Sequence, residues 1–505
     1  MSDLKFACPN CGRHLAVDAA CAGSQTSCPA CGQLIIIPRE PAPASAGPTS
    51  RPGMPAREPG GRRSWARITA LAIGSLLLLA AVAVGSVLIW GKSAAKTVNA
   101  QCQAKLEAIR KAGEPASGAE LNVWYEQPPA GENAADFFLA GFELVQISAQ
   151  DANSADLPLI GKGKLPPPGQ PLPAAAKKAI GDFLARNRPA LEKFEQGARC
   201  AKSRYPLDFR EGPSMKLKHV SQVKQAAQMA QLSAVYQADQ KDAEGACQAV
   251  RLGLALARSL EAEPIMISQL VRASGLGFAQ YAAECVVNRL ALSPAQLADL
   301  QRAFALAEDT NGTTCALLGE RAMSLDKLQL PPEQLAQGLG DMDPKIRAYL
   351  ETMRRTGNRD LNFALDFWKY QVDVSRKLLA QRQQATAECE RMLKEAKEQK
   401  LILASSLLPN FGPELQHGIR GLDSVRVAQA AVAVERFRAA NGGRLPAVLG
   451  DLCSSYLAAV PIDPHDEQPL RYATRGQGYV VYSVGRDGKD DGGVEGKDVV
   501  FAVAK

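Results

Sequence analysis

The chain has 505 residues, of which 46% are hydrophobic and 22% are charged, as in ordinary globular proteins. A chain of this length exceeds what one hydrophobic core supports and is expected to form about three units. The net charge of +7 is small for the length, and the sequence shows no broad basic face, which argues against a nucleic-acid-binding protein.

The N-terminal segment, residues 1–38, carries a cysteine motif. Its two copies read Cys8-Pro-Asn-Cys11 and Cys28-Pro-Ala-Cys31, and 16 residues separate them. Two thiolates at this spacing reach one ion, and four complete the tetrahedron that structural zinc prefers. The motif therefore predicts a small zinc ribbon of β type with these four cysteines as the zinc ligands.

This zinc site is predicted to be structural, because four protein ligands leave no open position for chemistry. The alternatives for the same cysteines are two disulfides or free thiols. A reducing compartment disfavours the disulfides. Cys21 and His14 are interpreted as non-ligands. Basic and acidic residues balance in this segment, so the expected partner of the ribbon is a protein and not a nucleic acid.

Residues 39–67 form a Pro- and Gly-rich stretch that predicts a disordered linker. The run that follows, Ile68–Trp90, contains no charged residue and would measure roughly 34 Å as a helix, enough to span a bilayer. We therefore predict a transmembrane helix over 68–90. The alternative is a buried core helix.

The orientation of this predicted span follows from its flanking charges. Five Arg residues lie within residues 51–67, whereas three Lys residues lie within the equally long flank 91–107. The positive-inside rule therefore places the N-terminus in the cytoplasm and residues 92–505 in the periplasm. The expectation is a single-pass inner-membrane protein with protein partners on both sides. Small residues four apart, as in Ala70 and Gly74, suggest a homodimer through the helix.

Residues 98–420 have the apolar periodicity of α-helices and predict a large helical domain. Two stripes of small apolar residues flank a polar break at Asp239–Asp242. They predict a closely packed antiparallel helix hairpin. The repeat expected of a helical solenoid is absent.

The C-terminal residues 421–505 predict a small α+β module, in which a helix stopped at Asn441-Gly442 precedes short strands near 470–472, 479–483 and 498–503. This module resembles the C-terminal part of type II secretion major pseudopilins. The resemblance rests on several blocks in order: Glu-Arg-Phe-Arg-Ala-Ala-Asn-Gly-Gly-Arg-Leu-Pro at 435–446, Val-Pro-Ile-Asp-Pro at 460–464, Pro-Leu-Arg-Tyr at 469–472 and Tyr-Ser-Val-Gly-Arg-Asp-Gly at 482–488. The overall layout resembles bacterial zinc-ribbon membrane proteins, which implies no particular activity.

The pseudopilin resemblance implies a calcium site in the loop that follows residue 482. Acidic residues in this loop fall close to the spacing of a calcium-binding loop. The alternative is an acidic, solvated turn. The predicted calcium ligands are Ser483, Asp487, Asp490, Asp491, Glu495 and Asp498.

No catalytic motif is present in the sequence, and no catalytic residue is predicted. Two functions remain open at this point. The first is a membrane-anchored binding or scaffold protein of the bacterial envelope, associated with secretion, which is not an enzyme. The second is an envelope hydrolase whose active site uses acids such as Glu132, Asp136 and Asp208. Acids clustered in a pocket would favour the hydrolase.

Overall fold

The computed structural model describes residues 3–38, 62–330, 334, 344–417 and 421–505. Most of the predicted linker, residues 39–61, lies outside this description. The chain forms two compact units, Met1–Ala81 and Val82–Lys505.

The first unit contains two antiparallel β-hairpins. Strand β1 (Asp3–Ala7) pairs with β2 (His14–Asp18), and β3 (Gln25–Ser27) pairs with β4 (Leu34–Ile36). A short 3₁₀ turn joins the hairpins. The predicted β ribbon is therefore present, with one cysteine pair in the turn of each hairpin.

The prediction of a transmembrane helix over residues 68–90 is wrong. The chain from Arg62 to Lys111 is one helix, α1, of 50 residues. Among the described residues, however, no helix is long and apolar enough to cross a membrane. A span needs about 20 consecutive apolar residues.

The predictions that depended on this span are wrong as well. They are the localisation as a single-pass inner-membrane protein, with a cytoplasmic N-terminus and periplasmic residues 92–505, and the transmembrane part of the predicted fold class. The homodimer through Ala70 and Gly74 is not tested and stays a prediction.

The second unit is mostly helical, as predicted. Its helices pack into several hydrophobic cores, one of which gathers around the fully buried Trp368. The helices that follow α1 are α2 (Gly118–Trp124), α3 (Ala134–Phe142), α4 (Ala149–Asn153), α5 (Ala174–Arg186), α6 (Arg188–Gly197), α7 (Lys218–Asp239), α8 (Ala243–Arg258), α9 (Met266–Arg289), α10 (Pro294–Ala307), α11 (Gly312–Gln329), α12 (Pro344–Thr356), α13 (Arg359–Ser375), α14 (Ala385–Glu398), α15 (Ile402–Leu407) and α16 (Gly412–His417).

Helices α7 and α8 form the predicted hairpin. The break lies where expected, because α7 ends at Asp239 and the Asp242 side chain caps α8 by accepting a hydrogen bond from the Gly245 N–H at 3.0 Å. Small residues let α7, α8 and α9 approach closely. A Cβ placed on Gly253 would lie 3.7 Å from the Cβ atoms of both Ala230 and Ala279, so packing here depends on small side chains.

The C-terminal region contains helix α17 (Leu422–Ala440) and a three-stranded antiparallel sheet. The strands are β5 (Arg471–Arg475), β6 (Gly478–Ser483) and β7 (Val499–Val503), in that spatial order. Every residue of the central strand β6 is buried. The predicted α+β character and the strand positions agree with the structure.

Helix α9 covers the outer edge of β7. Gln280 and Asn288 donate to the Val500 and Ala502 carbonyls at 2.7 and 2.8 Å, and the Ala502 N–H donates to Glu284 at 3.0 Å. These three side chains are four residues apart and therefore lie on one face of the helix. They hydrogen-bond the backbone groups at the edge of β7, which would otherwise be open to pairing with another strand. The C-terminal sheet, α17 and helices α8–α10 share one hydrophobic core.

Candidate metal centre

The two cysteine knuckles have nearly the same backbone geometry. The N–H groups of Cys8 and Cys28 each donate to the carbonyl five residues later, at 2.9 Å. Gly12 and Gly32 then donate back to the carbonyls of these cysteines at 2.9 and 2.8 Å. Both glycines have φ of +71°, a conformation that strains any residue with a Cβ. The repeated sequence therefore folds twice into the same turn.

The four cysteines of the two knuckles come together. Their sulfur atoms all lie within 4.8 Å of one another, with Cys8 Sγ 3.9 Å from Cys31 Sγ and Cys11 Sγ 3.8 Å from Cys28 Sγ. A tetrahedral zinc ion with Zn–S bonds of about 2.3 Å separates its sulfur ligands by about 3.8 Å. The donor set and its spacing therefore fit a zinc ribbon.

The disulfide alternative for these cysteines does not match the structure. None of the twelve cysteines of the chain forms a disulfide. Cys21 and His14 lie outside the four-cysteine group. In the part of the chain that the structure describes, this group is the one place where three or more metal-ligating side chains converge.

The electrostatic environment differs among the four cysteines, since desolvation and the neighbouring sulfur atoms raise the pKa of the Cys11 thiol to about 11. The backbone N–H groups of Ala30 and Cys31 point at the Cys28 sulfur and lower the pKa of the Cys28 thiol to about 7. These N–H groups stabilise the thiolate, which is the form that ligates a metal. With four thiolates as ligands, the centre has no open coordination position, and its chemistry is limited to holding structure.

The ribbon buries one apolar face and exposes another. Ile35 is 4% exposed and packs against Cys8 and Cys28, the cysteines that begin the two knuckles. Its neighbours on β4, Leu34 and Ile36, are 72% and 63% exposed. Side chains alternate across a strand, so β4 presents two large apolar side chains to the solvent on a very small domain.

The acidic loop after β6 is the predicted calcium site. Three of its Asp side chains accept hydrogen bonds from backbone N–H groups of the same loop. Asp487 and Asp490 each accept a hydrogen bond from the backbone N–H two residues later, at 3.1 and 2.9 Å. Asp498 accepts two from the Gly493–Val494 backbone, both at 2.8 Å. These contacts direct carboxylate oxygens toward the backbone of the loop.

The remaining predicted calcium ligands also have other roles. Asp491 pairs with Lys497 at 2.8 Å, Glu495 is exposed, and the buried Ser483 hydroxyl donates to Asp463 at 2.9 Å. Nothing in the structure supports a calcium ion here, and calcium binding stays a prediction.

The three acids suggested for a hydrolase lie outside the lining of the two larger cavities described in the helical unit, of about 410 and 580 Å³. Glu132 and Asp136 are exposed. Asp208 accepts hydrogen bonds from the Arg210 and Asn122 side chains, and the Arg210 guanidinium holds its pKa well below the usual range. The hydrolase alternative stays an untested prediction.

Two histidines that no sequence motif singled out are buried against acids. His219 Nε2 lies 2.8 Å from Glu263, and His465 Nε2 lies 3.1 Å from Asp423. Both partners are more than 40 positions away in the chain, so no local spacing could have indicated them. The side chain of His417 lies outside the described residues.

Comparisons of the chain with models of protein families, with curated proteins and with solved structures found no match. The resemblance to pseudopilins therefore has no family or homologue behind it. The zinc ribbon is supported by the geometry of its four cysteines alone.

Proposed function

We propose that this chain is a binding protein built from two parts, a ribbon held by a structural zinc ion and a helical unit that carries a separate binding surface. The observation that supports the ribbon is the convergence of the four cysteine sulfur atoms within 4.8 Å. A segment of this size cannot bury enough surface to fold by itself, so the metal supplies most of its stability.

The proposed partner of the ribbon is another protein. Leu34 and Ile36 are exposed side by side on β4, and exposed apolar side chains of this size favour protein contacts. The charges of the ribbon are balanced, as with Lys5 and Asp18, which disfavours a phosphate backbone as the partner.

Elemental analysis tests the metal. Protein purified without chelator should contain one zinc ion per chain. The change Cys28→Ser should lose that zinc and the fold of residues 3–38, because one of four ligands and its bonds to the backbone are gone. The control Cys21→Ser removes an exposed thiol outside the group and should keep the metal. Metal-free parent protein, or a Cys21→Ser variant that loses zinc as Cys28→Ser does, would contradict the assignment.

Photo-crosslinking tests the protein contact. A crosslinker placed at Gln33, an exposed residue beside Leu34, should capture a discrete partner that is lost when Leu34→Ser and Ile36→Ser are introduced together. The matched control Lys5→Ser alters an exposed residue on the other hairpin and should bind as the parent does. Equal capture by the parent and the double variant would refute β4 as the contact.

A further inference from the structure

The helical unit contains a cavity of about 410 Å³ whose wall has more cationic than acidic side chains. Five cationic side chains and three carboxylates line it, which leaves an excess of two positive charges. Most of these groups are paired with one another or with nearby residues. Arg272 lies 3.3 Å from Asp309, and Arg426 lies 2.7 Å from Glu308. Among the described residues, the lining groups without an ion pair are Lys377, Arg382 and Glu467, which together carry one net positive charge.

Arg382 is a buried cation on this wall, and no described carboxylate pairs with it. Its residue is only 6% exposed, and its guanidinium donates to the backbone carbonyls of Lys377, at 2.9 Å, and Ser375. No ion pair forms at Arg382 within the described chain, and burial lowers the pKa of its guanidinium. An isolated buried charge is costly unless an opposite charge accompanies it. The carbonyl contacts hold this cation in place at the cavity wall without neutralising it.

A helix N-terminus opens into the same cavity. Helix α11 starts at Gly312, and its first residues line the wall together with Arg382. The preceding Asn311 makes no side-chain cap. The first turn of a helix carries backbone N–H groups without intrahelical partners and a partial positive charge, both of which favour an anion.

Three buried polar atoms on this wall have no hydrogen-bond partner. They are Arg272 Nε, Gln269 Oε1 and Glu467 Oε1. The orientation of Gln269 is settled by its Nε2 group, which donates to three backbone carbonyls at 2.8–3.1 Å. The wall thus offers one donor that suits an oxyanion and two acceptors that suit hydroxyl or amine groups. Buried polar atoms in folded proteins are normally satisfied.

We propose that this cavity binds a small organic oxyanion, a carboxylate or a phosphate ester, that also carries hydroxyl or amine donors. The oxyanion lies against Arg382, Arg272 Nε and the start of α11, and the donors face Gln269 and Glu467. The volume exceeds that of a simple ion and suits a small metabolite-sized molecule. The proposal goes beyond the zinc ribbon and does not depend on it.

Isothermal titration calorimetry of the full chain in Tris chloride tests the proposal, with malate and glycerol phosphate as probes that separate carboxylate from phosphate. At least one probe should bind at millimolar concentration and raise the melting temperature, while sodium chloride of equal ionic strength should not. Arg382→Gln should weaken binding at least about tenfold, the loss expected for one charge-assisted hydrogen bond.

A second variant keeps the test decisive if Arg382→Gln fails to fold. Thr310 is exposed, lines the cavity and precedes α11. Thr310→Asp places a negative charge beside the helix start, which should stabilise the helix yet repel the oxyanion. Arg391→Gln, on an exposed face of α14, is the matched control and should bind as the parent does. Absence of binding by both probes, or unchanged affinity in Thr310→Asp, would overturn the proposal.

Discussion

Single buried acids in the helical unit have environments that their sequence neighbours do not reveal. Glu284 lies on α9 and is buried, and the only described hydrogen bond to its carboxyl group comes from the Ala502 N–H on β7. Burial raises the pKa of the Glu284 carboxyl to about 7, although this N–H opposes the shift. The protonation state of this carboxyl, which contacts the edge strand β7, therefore changes near neutral pH.

The sign of this linkage predicts a pH-dependent gain from one substitution. Between about pH 4.5 and pH 7, the Glu284 carboxyl is protonated in the folded state and ionised in the unfolded chain. Stability therefore falls as the pH rises from about 4.5 to about 7, by up to about 3 kcal/mol. Glu284→Gln keeps an acceptor for Ala502 and carries no charge. It should raise the melting temperature at pH 8 and leave it unchanged at pH 4. An equal shift at both pH values would contradict this account.

Among the elements, the close approach between α11 and the start of α9 depends on one glycine. A Cβ on Gly319 would lie 1.9 Å from the backbone carbonyl oxygen of Pro264. Backbone atoms cannot move aside as a flexible side chain can. The crossing of these elements is therefore possible only without a side chain at 319.

Two glycine substitutions should separate packing from helix propensity. Gly319→Ala forces α11 away from Pro264 and should cost at least about 2 kcal/mol, at the upper part of the range for overpacking. Gly277 lies inside α9, and a Cβ placed on it would meet open space, so Gly277→Ala should instead stabilise by about 0.5–1 kcal/mol. Thermal melts of the two variants give the comparison. Similar melting temperatures for both would show that the close approach relaxes freely.

At the scale of the whole molecule, the metal centre and the large cores belong to different units. The four cysteines lie within Met1–Ala81, whereas the core shared by α8–α10, α17 and the C-terminal sheet lies within Val82–Lys505. No described residue of the ribbon takes part in that core. The stability of the helical unit should therefore not depend on zinc.

Chelation should unfold the ribbon alone. After the metal is removed, the four cysteine thiols of the ribbon should become reactive toward a thiol reagent, because their fold depends on the ion. The helical signal in circular dichroism and its melting temperature should stay unchanged, because the helices lie almost entirely in the second unit. The metal-free Cys28→Ser variant provides the control, since the chelator should have no effect on it. A helical unit that melts earlier after chelation would contradict the independence of the two units.

The sequence by itself determined the features that depend on neighbours along the chain. The knuckles at Cys8 and Cys28, the α7–α8 break and the C-terminal strands follow from local spacing and turn residues, and short-range geometry is enough to specify them. Only the tertiary structure decided the rest. It placed Arg382 without a carboxylate, set Glu284 against β7, and brought His219 to Glu263. These environments arise from packing between distant segments, which no local pattern encodes. The apolar run at 68–90 shows the same limit, since local hydropathy indicated a membrane span that the described structure does not contain.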